Sequence, residues 1–315
     1  MEENNIKKEI NNILTHKKGI EIYVYIKVNA NDEEKLEIRK LNAQDDFRDA
    51  LQKRLESKLN EKYCNEDVKY VPIENYDEIK DTYCVIDKSE YDGLNMICEF
   101  DEIEKFYKYD EGDIQGFIFR YGTETNYIIL YQQFYPVNLL KRDKTIMGCI
   151  EIIAGQPQFK LIENNIIKIT DNIDIIILSQ YIISNNFKIL ENKFGFQKYI
   201  ENISNNVENE IKNIGMIEET DTINNYLNDY KIKKKLAKIK GSKVLKMDKE
   251  IILKRISEDD YYKQNIKIEN GKIKIESKKD FGIFLKLLND DILKSNITST
   301  TYDTSSKKEM EKEKK

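Results

Sequence analysis

Residues 117–135, FIFRYGTETNYIILYQQFY, decide the fold class of this chain, because two aromatic-rich apolar runs flank one short polar turn. Isoleucine, tyrosine and phenylalanine favour β-strands, and Gly and Asn are typical of the turns between strands. Four more apolar runs follow at close spacing, at 145–153, 158–162, 166–169 and 173–178. Links this short favour antiparallel neighbours over crossover connections. The centre of the chain is therefore predicted to be an antiparallel meander.

The N-terminal third predicts a hairpin followed by an amphipathic helix. Apolar and polar residues alternate over 20–28, which is typical of a strand with one buried face, and a weaker alternation at Leu36 and Ile38 supplies its partner. Apolar residues at four-residue spacing then predict the helix. They are Phe47, Leu51, Leu55 and Leu59. A strand at 83–86 and a helix around Phe100, Ile103 and Phe106 are predicted further on.

The C-terminal half is predicted to be mainly helical. Apolar side chains recur at helical spacing over 187–194, and a second helix follows a break at Gly195. A third helix is predicted to start at the capping residue Thr220 and to run on through a lysine-rich stretch until Gly241. Another helical segment is predicted over 244–252.

Residues 266–275 predict a tight β-hairpin. Asn270 and Gly271 lie between alternating residues, and both residue types adopt the positive φ angles of a two-residue turn. A closing helix follows over 281–288. The predicted order of helices, a hairpin and a further helix is the same as in winged DNA-binding modules. This likeness is an analogy of element order only.

The predicted fold class is α+β, with a central, mostly antiparallel β-sheet covered by helices and a helical and hairpin C-terminal region. We expect four segments. They are an N-terminal hairpin-helix region at 1–114, a β-meander with covering helices at 115–215, lysine-rich helices with a hairpin and closing helix at 216–304, and a disordered tail at 305–315.

Composition excludes several classes of function. The first residues are polar, which predicts no secretory signal, and no apolar run reaches the roughly 20 residues that a membrane helix needs. We therefore expect a cytoplasmic protein. His16 is the single histidine, which disfavours histidine-based triads, and the four cysteines form no Cys-x-x-Cys pair. Walker, Gly-x-Gly-x-x-Gly and Gly-x-Ser-x-Gly motifs are absent, and we expect no cofactor and no catalytic residue.

A lysine-rich stretch stands out because the whole chain carries a net charge of −5. Residues 231–255 hold eleven basic side chains against two acidic ones, whereas 74–113 hold fourteen acidic ones against four lysines. A concentrated cationic surface attracts phosphate backbones, and lysine without interleaved aromatic residues favours sequence-independent binding. The predicted DNA contacts are Lys233, Lys234, Lys235, Lys238, Lys240, Lys243 and Lys246.

Two other hypotheses stay open from the residues alone. The lysines could dock on an acidic protein or on anionic lipid, as in an interaction adaptor. A magnesium-dependent nuclease is the less favoured option, with Glu276, Lys278, Asp259 and Asp260 as its candidate residues. The same Glu-x-Lys spacing recurs elsewhere in this highly charged chain, which makes the pattern weak.

Two sets of scattered positions over 115–307 form a further pattern. The central positions are Asn172, Ile173, Asp174, Tyr181, Ile182, Ile183, Ser184, Asn185, Phe187, Phe194, Gly195 and Phe196. The closing positions are Phe284, Leu285, Leu287, Leu288, Asn289, Asp290, Asp291, Leu293, Ser295, Thr298, Tyr302, Ser306 and Lys307. Together they resemble the KwaB family of the Kiwa anti-phage system.

This resemblance implies a bacterial defence function. Members of the family are expected to bind DNA without sequence preference, to form homodimers or higher homo-oligomers, and to work beside a KwaA-like membrane protein. The implied role is an effector that obstructs phage DNA replication or transcription. Such a protein would be cytoplasmic, with a partner able to recruit it to the inner face of the membrane.

Overall fold

The computed structural model describes residues 2–16, 19–30, 33–76, 79–106, 114–140, 148–153, 156–161, 166–218 and 220–304. The chain divides into two compact units. Unit 1 comprises Met1–Val68 and Asp87–Ile189, and unit 2 comprises Lys69–Ile86 and Leu190–Lys315. The segment boundaries expected from sequence stay predictions, and the tail at 305–315 lies outside the described residues.

The elements follow one another along the chain as helices and short strands. The α-helices are α1 (Glu2–Thr15), α2 (Asp45–Tyr63), α3 (Phe187–Lys193), α4 (Phe196–Ile214), α5 (Asp221–Leu227), α6 (Tyr230–Ile239), α7 (Lys249–Glu258), α8 (Asp260–Asn265) and α9 (Lys278–Leu288). The strands are β1 (Ile20–Ala30), β2 (Glu33–Lys40), β3 (Lys69–Pro72), β4 (Thr82–Asp87), β5 (Ile114–Gly122), β6 (Tyr127–Gln133), β7 (Leu139–Leu140), β8 (Gly148–Ile153), β9 (Gln156–Leu161), β10 (Ile166–Ile167), β11 (Ile175–Ile177), β12 (Tyr181–Ser184), β13 (Lys267–Glu269), β14 (Lys272–Lys274), β15 (Ile292–Lys294) and β16 (Thr301–Asp303). The predicted α+β class is confirmed.

Unit 1 is built on an antiparallel sheet. Its strands follow the order β2-β1-β5-β6-β11-β12, and every neighbouring pair in that order is antiparallel. The predicted meander is interrupted, because among the described strands β8 pairs with β9 and β7 pairs with β10, in two separate small sheets. Helix α1 packs on this unit through Ile6, Ile10 and Ile13, all of them buried.

Strand β1 is buried on both faces, whereas the alternation of apolar and polar residues in its sequence predicts one buried face. Tyr23 and Tyr25 on the second face are as buried as the isoleucines of the first. The ring of Tyr23 lies 4.9 Å from that of Phe100, and Tyr25 packs edge-on against Tyr131. Aromatic rings from other segments therefore cover the face that the pattern assigned to solvent.

The helix predicted around Phe100, Ile103 and Phe106 is wrong. This segment instead runs beside the end of β2, where the Lys40 amide donates to Glu104 O and the Phe106 amide donates to Lys40 O, each at 2.9 Å. Backbone pairing to a strand edge replaces the hydrogen bonds that a helix would have made internally. Ring packing of Phe100 against Tyr23 and Tyr127 holds the segment in this path.

Unit 2 is mainly helical, with β3 and β4 as a parallel pair. Its core gathers Ile232, Leu236 and Ile239 of α6 with Phe281 and Phe284 of α9. The predicted hairpin is confirmed as β13 and β14, with positive φ at the two turn residues, Asn270 and Gly271. The single helix predicted from Thr220 to Gly241 is wrong in one respect, since it divides into α5 and α6.

Candidate nucleic-acid interface

Helix α6 carries the lysine-rich stretch and begins at a well-formed cap. The Asp229 side chain accepts a hydrogen bond from the Lys231 amide at 2.9 Å, which satisfies one of the exposed N–H groups at the helix start. Ile232, Leu236 and Ile239 then recur at spacings of four and three residues and are buried against the unit 2 core. Burial of this stripe turns the opposite side of α6 toward solvent.

Four lysines occupy that opposite side. At about 100° per residue, Lys231, Lys234, Lys235 and Lys238 fall within an arc of about 100° around the helix axis. We call this set the lysine face. Lys231 and Lys235 are exposed, and Lys234 and Lys238 are half-buried. Lys231 was absent from the predicted contacts, although its spacing of four residues from Lys235 already placed it on the same side.

Lys234 is held by a carboxylate of unit 2. Its ammonium lies 2.5 Å from Glu191 Oε1 and 5.0 Å from the centre of the Tyr230 ring. The Tyr230 hydroxyl donates to the same Glu191 oxygen at 2.9 Å, and Glu191 is only 11% exposed. Burial raises the pKa of Tyr230, and the adjacent Glu191 carboxylate raises it further. Lys234 thus ties α6 to α3 as well as contributing positive charge.

Lys233 does not belong to the lysine face. It points to the flank of α6 and pairs with Glu201 of α4 at 3.3 Å, with its side chain largely covered. An ammonium already matched by a carboxylate contributes little to the attraction of an external phosphate. Lys233 is therefore a predicted contact that the fold directs away from the lysine face.

The C-terminal end of α6 is more crowded. Lys238 interacts with its surroundings near Cys84: burial raises the pKa of that thiol, the Glu74 carboxylate adds to the rise, and the Lys238 ammonium opposes it. Lys240 is the C-terminal capping position of α6, and Gly241 with a φ of 76° ends the helix. Lys238 therefore has a local electrostatic role within unit 2.

A 3-10 turn at Val244–Lys246 follows α6 along the chain and carries further predicted contacts. Lys243 and Lys246 are both exposed, and their spacing of three residues places them on the same side of a 3-10 turn. Leu245 between them is buried and anchors the turn. Lys235, Lys243 and Lys246 are therefore the predicted contacts with exposed side chains.

The residues considered for a nuclease are engaged in other ways. Glu276 accepts from Lys267 at 2.8 Å and pairs with Lys274 at 3.2 Å, and these two ammonium groups lower its pKa. Lys278 pairs with Asp229 at 2.9 Å, and Asp259 caps α8. Within the described ranges, no three His, Cys, Asp or Glu side chains are grouped so that they could hold a metal ion.

None of the described helices is both long enough and apolar enough to cross a bilayer.

The fold and this surface define an α+β protein that presents a cationic helix face on a net acidic chain. Residues 111–298 match the family described as Kiwa protein KwaB-like. The match covers more than half of the chain, and the chain belongs to this family, which makes it a component of Kiwa anti-phage defence.

One curated relative supports the same assignment. The Kiwa protein KwaB of Escherichia coli O55:H7 (strain RM12579 / EPEC) is 24% identical over 254 residues, which cover 76% of this chain and 78% of that protein. No solved structure matches the chain. The Kiwa context suggests partners within the same system.

Proposed function

We propose that this chain is a non-catalytic DNA-binding effector of Kiwa defence, which grips duplex DNA through phosphate contacts and obstructs phage DNA replication or transcription. The observation that carries this proposal is the shared exposure of Lys231 and Lys235 on α6 with Lys243 and Lys246 beside the next turn. The surrounding chain has a net charge of −5, so this surface is a local concentration of positive charge.

The chemistry of these side chains favours binding without sequence preference. Lysine ammonium groups are point charges that replace condensed counterions, whereas base recognition depends mainly on bidentate Arg, Asn or Gln contacts. The aromatic ring beside the lysine face, Tyr230, is engaged with Glu191 and Lys234. If about four to six lysines contact phosphates, the slope of log K against log salt should be about −4 to −5 on duplex DNA.

The resemblance to KwaB extends the proposal to assembly and location. A KwaA-like membrane protein would recruit this chain from the cytoplasm to the inner face of the membrane, and the chain would act as a homodimer or higher homo-oligomer. Co-purification with the neighbouring membrane component and sedimentation of the purified chain test these two points separately.

A gel shift with charge-reversed variants tests DNA binding. Lys235→Glu combined with Lys246→Glu removes two exposed ammonium groups from the proposed surface. We expect much weaker duplex binding and a salt slope reduced in magnitude by about 2, because each phosphate that the protein no longer neutralises lowers it by about 0.9. The matched control is Lys53→Glu with Lys62→Glu, two exposed lysines on α2.

Two results would replace the proposal. Equal binding by both double variants would move the DNA site elsewhere, and failure of the unaltered protein to bind DNA at low salt would favour the adaptor hypothesis. The same reactions with Mg²⁺ and with EDTA test the nuclease hypothesis. Magnesium-dependent cutting that disappears in Glu276→Ala would show a catalytic function instead.

A further inference from the structure

A cleft in unit 1 is not used by the proposed DNA contacts. It encloses about 630 Å³ between the start of β1, the first turn of α2 and the turn that joins β5 to β6. This volume is within the usual range for sites that hold small molecules. The polar residues that line the cleft all belong to unit 1. They are Glu21, Arg48, Arg120, Thr123, Glu124 and Thr125.

The one carboxylate at the strand end of the cleft is already matched by cations. Glu21 and Arg120 lie directly opposite each other on β1 and β5. Arg120 Nη1 donates to Glu21 Oε2 at 3.1 Å, and Lys40 Nζ donates to the other oxygen, Oε1, at 2.5 Å. Burial alone would raise the pKa of this carboxylate, but the hydrogen bonds from Lys40, Tyr23 and Arg120 lower it overall. One negative charge thus faces two positive charges, and the group is cationic.

The guanidinium group of Arg120 is held in place and still has unused donors. Its Cζ atom lies 4.2 Å from the centre of the Tyr127 ring and 5.4 Å from that of Phe100, and Nη2 donates to Glu124 O at 3.1 Å. Glu21 and Glu124 thus take two of its five N–H groups. The Nε–H group is buried and has no hydrogen-bond partner among the described residues. A guanidinium that is already positioned loses little freedom when it binds an anion.

The turn between β5 and β6 forms one wall of the cleft and has a fixed shape. Gly122 has a φ of 133°, which favours glycine, and a Cβ atom there would lie 2.4 Å from Asn126 O. The Thr123 amide donates to that carbonyl at 2.8 Å, and Thr123 Oγ1 accepts from the Asn126 amide at 2.9 Å. Thr125 in the same turn is exposed, and its hydroxyl has no partner in the described part of the chain. The wall therefore offers a hydroxyl donor to a ligand.

Arg48 supplies a second guanidinium group from the first turn of α2. Its partner is Asp45, three residues earlier in the helix, which is 87% exposed. Ion pairs this open to solvent contribute little stability, so Arg48 can exchange Asp45 for a ligand. One guanidinium group is enough to match the two oxygens of a carboxylate, whereas a phosphate group has enough oxygens to accept from two guanidinium groups. The presence of both in one cleft therefore favours phosphate.

We propose that this cleft binds a small phosphorylated molecule. Arg48 and Arg120 hold its phosphate group, and Thr125 donates a hydrogen bond to one of the phosphate oxygens. The volume of the cleft leaves room for an organic group beside the phosphate. Glu124 also lines the cleft with an exposed carboxylate, which opposes the binding of an anion. The cleft belongs to unit 1 and the lysine face to unit 2, and this inference does not depend on DNA binding by α6.

Isothermal titration calorimetry with the full chain tests the cleft. The probes are AMP and inorganic phosphate, which share the phosphate group, and adenosine, which lacks it. We expect AMP to bind about tenfold more tightly than adenosine or better, because charge-assisted hydrogen bonds to a phosphate are the strong ones in such a site. Inorganic phosphate should compete with AMP for the same site.

Two single substitutions with opposite expected effects test the residues of the cleft. Arg48→Gln should weaken AMP binding about tenfold, because it removes a charged donor. Its matched control is Arg54→Gln, the same change at an exposed arginine further along α2, which should leave the affinity unchanged. Glu124→Gln should strengthen binding by about threefold, because it removes a negative charge, whereas Glu66→Gln elsewhere in unit 1 should not. Arg120 stays unaltered, because its packing on two aromatic rings also supports the fold.

Several outcomes would overturn the proposal. The unaltered chain would then bind neither AMP nor inorganic phosphate, or would bind AMP and adenosine equally well. Equal affinities of Arg48→Gln and Arg54→Gln for AMP would place the phosphate site elsewhere. Weaker duplex DNA binding by Arg48→Gln with unchanged AMP binding would assign the cleft to DNA instead. The DNA-binding variant Lys235→Glu with Lys246→Glu should bind AMP as the unaltered chain does, so that a failure of the DNA proposal is distinguishable from a failure of this one.

Discussion

Neighbouring lysines on α6 perform different tasks although they are the same residue type. Lys235 is exposed, whereas Lys234 contacts a carboxylate that is only 11% exposed and shares it with the Tyr230 hydroxyl. Removing one partner of a largely covered ion pair leaves the other charge poorly solvated. The same charge reversal should therefore affect folding at position 234 and mainly DNA binding at position 235.

Lys234→Glu is expected to lower the free energy of unfolding by about 1–2 kcal/mol. The new carboxylate would repel that of Glu191, and solvent screens part of this repulsion. Lys235→Glu should change it by about 0.5 kcal/mol or less, as for most surface substitutions. Urea unfolding of both variants measures the difference. Equal free energies of unfolding would show that the ion pair between Lys234 and Glu191 does not stabilise the fold.

This difference between lysines could not be predicted from the sequence. The stretch itself is visible because eleven basic residues occur within 231–255. The partners Glu191 and Glu201 come from α3 and α4, more than thirty residues upstream. A local pattern indicates where charge is concentrated, but tertiary packing decides which ammonium groups stay open to a ligand.

At the scale of elements, the cap at Asp229 separates α5 from α6. It fixes the residue at which α6 begins, and with it the side of the helix on which the lysine face lies. Its carboxylate accepts from the Lys231 amide and pairs with Lys278 of α9. These interactions of the carboxylate lower the pKa of Asp229, the hydrogen bond from Lys278 most. The sequence predicted one continuous helix here, because the apolar spacing alone does not show that Asp229, just before the lysine-rich stretch, is a capping residue.

Asp229→Ala should lower the thermal unfolding midpoint by a few degrees and weaken DNA binding, because α6 loses its N-terminal acceptor. Asp229→Ser keeps a side-chain oxygen that can cap α6 but removes the charge that faces Lys278. We expect Asp229→Ser to stay closer to the unaltered protein in both measurements. If Ser and Ala behave alike, the exposed pair with Lys278 matters more than the cap.

Helix α1 and strands β15 and β16 were not predicted from the sequence, because polar and charged residues dominate these segments. Helix α1 buries Ile6, Ile10 and Ile13 at spacings of four and three, a signal that was available but lay within a polar terminus. The short strands β15 and β16 have few apolar residues and depend on pairing with each other. In contrast, β1, α2, α4 and the Asn270–Gly271 hairpin followed directly from periodicity and turn chemistry.

At the scale of the whole molecule, the net charge of −5 should make DNA binding depend strongly on orientation and salt. Most of the acidic surface repels a duplex, so productive encounters are restricted to the lysine-rich side of unit 2. Salt screens both the repulsion and the attraction. A higher salt concentration also makes the release of counterions from DNA less favourable, which lowers the affinity further than screening alone.

Binding through this surface should stabilise the folded chain by mass action. Duplex DNA at about 100 times its Kd would add about 2.7 kcal/mol to the free energy of unfolding. We therefore expect a rise in thermal midpoint at low salt that disappears as salt increases and is absent for Lys235→Glu with Lys246→Glu. Lys53→Glu with Lys62→Glu should keep the rise. A rise that persists in high salt, or in both double variants alike, would mean that DNA is held by contacts other than these ammonium groups.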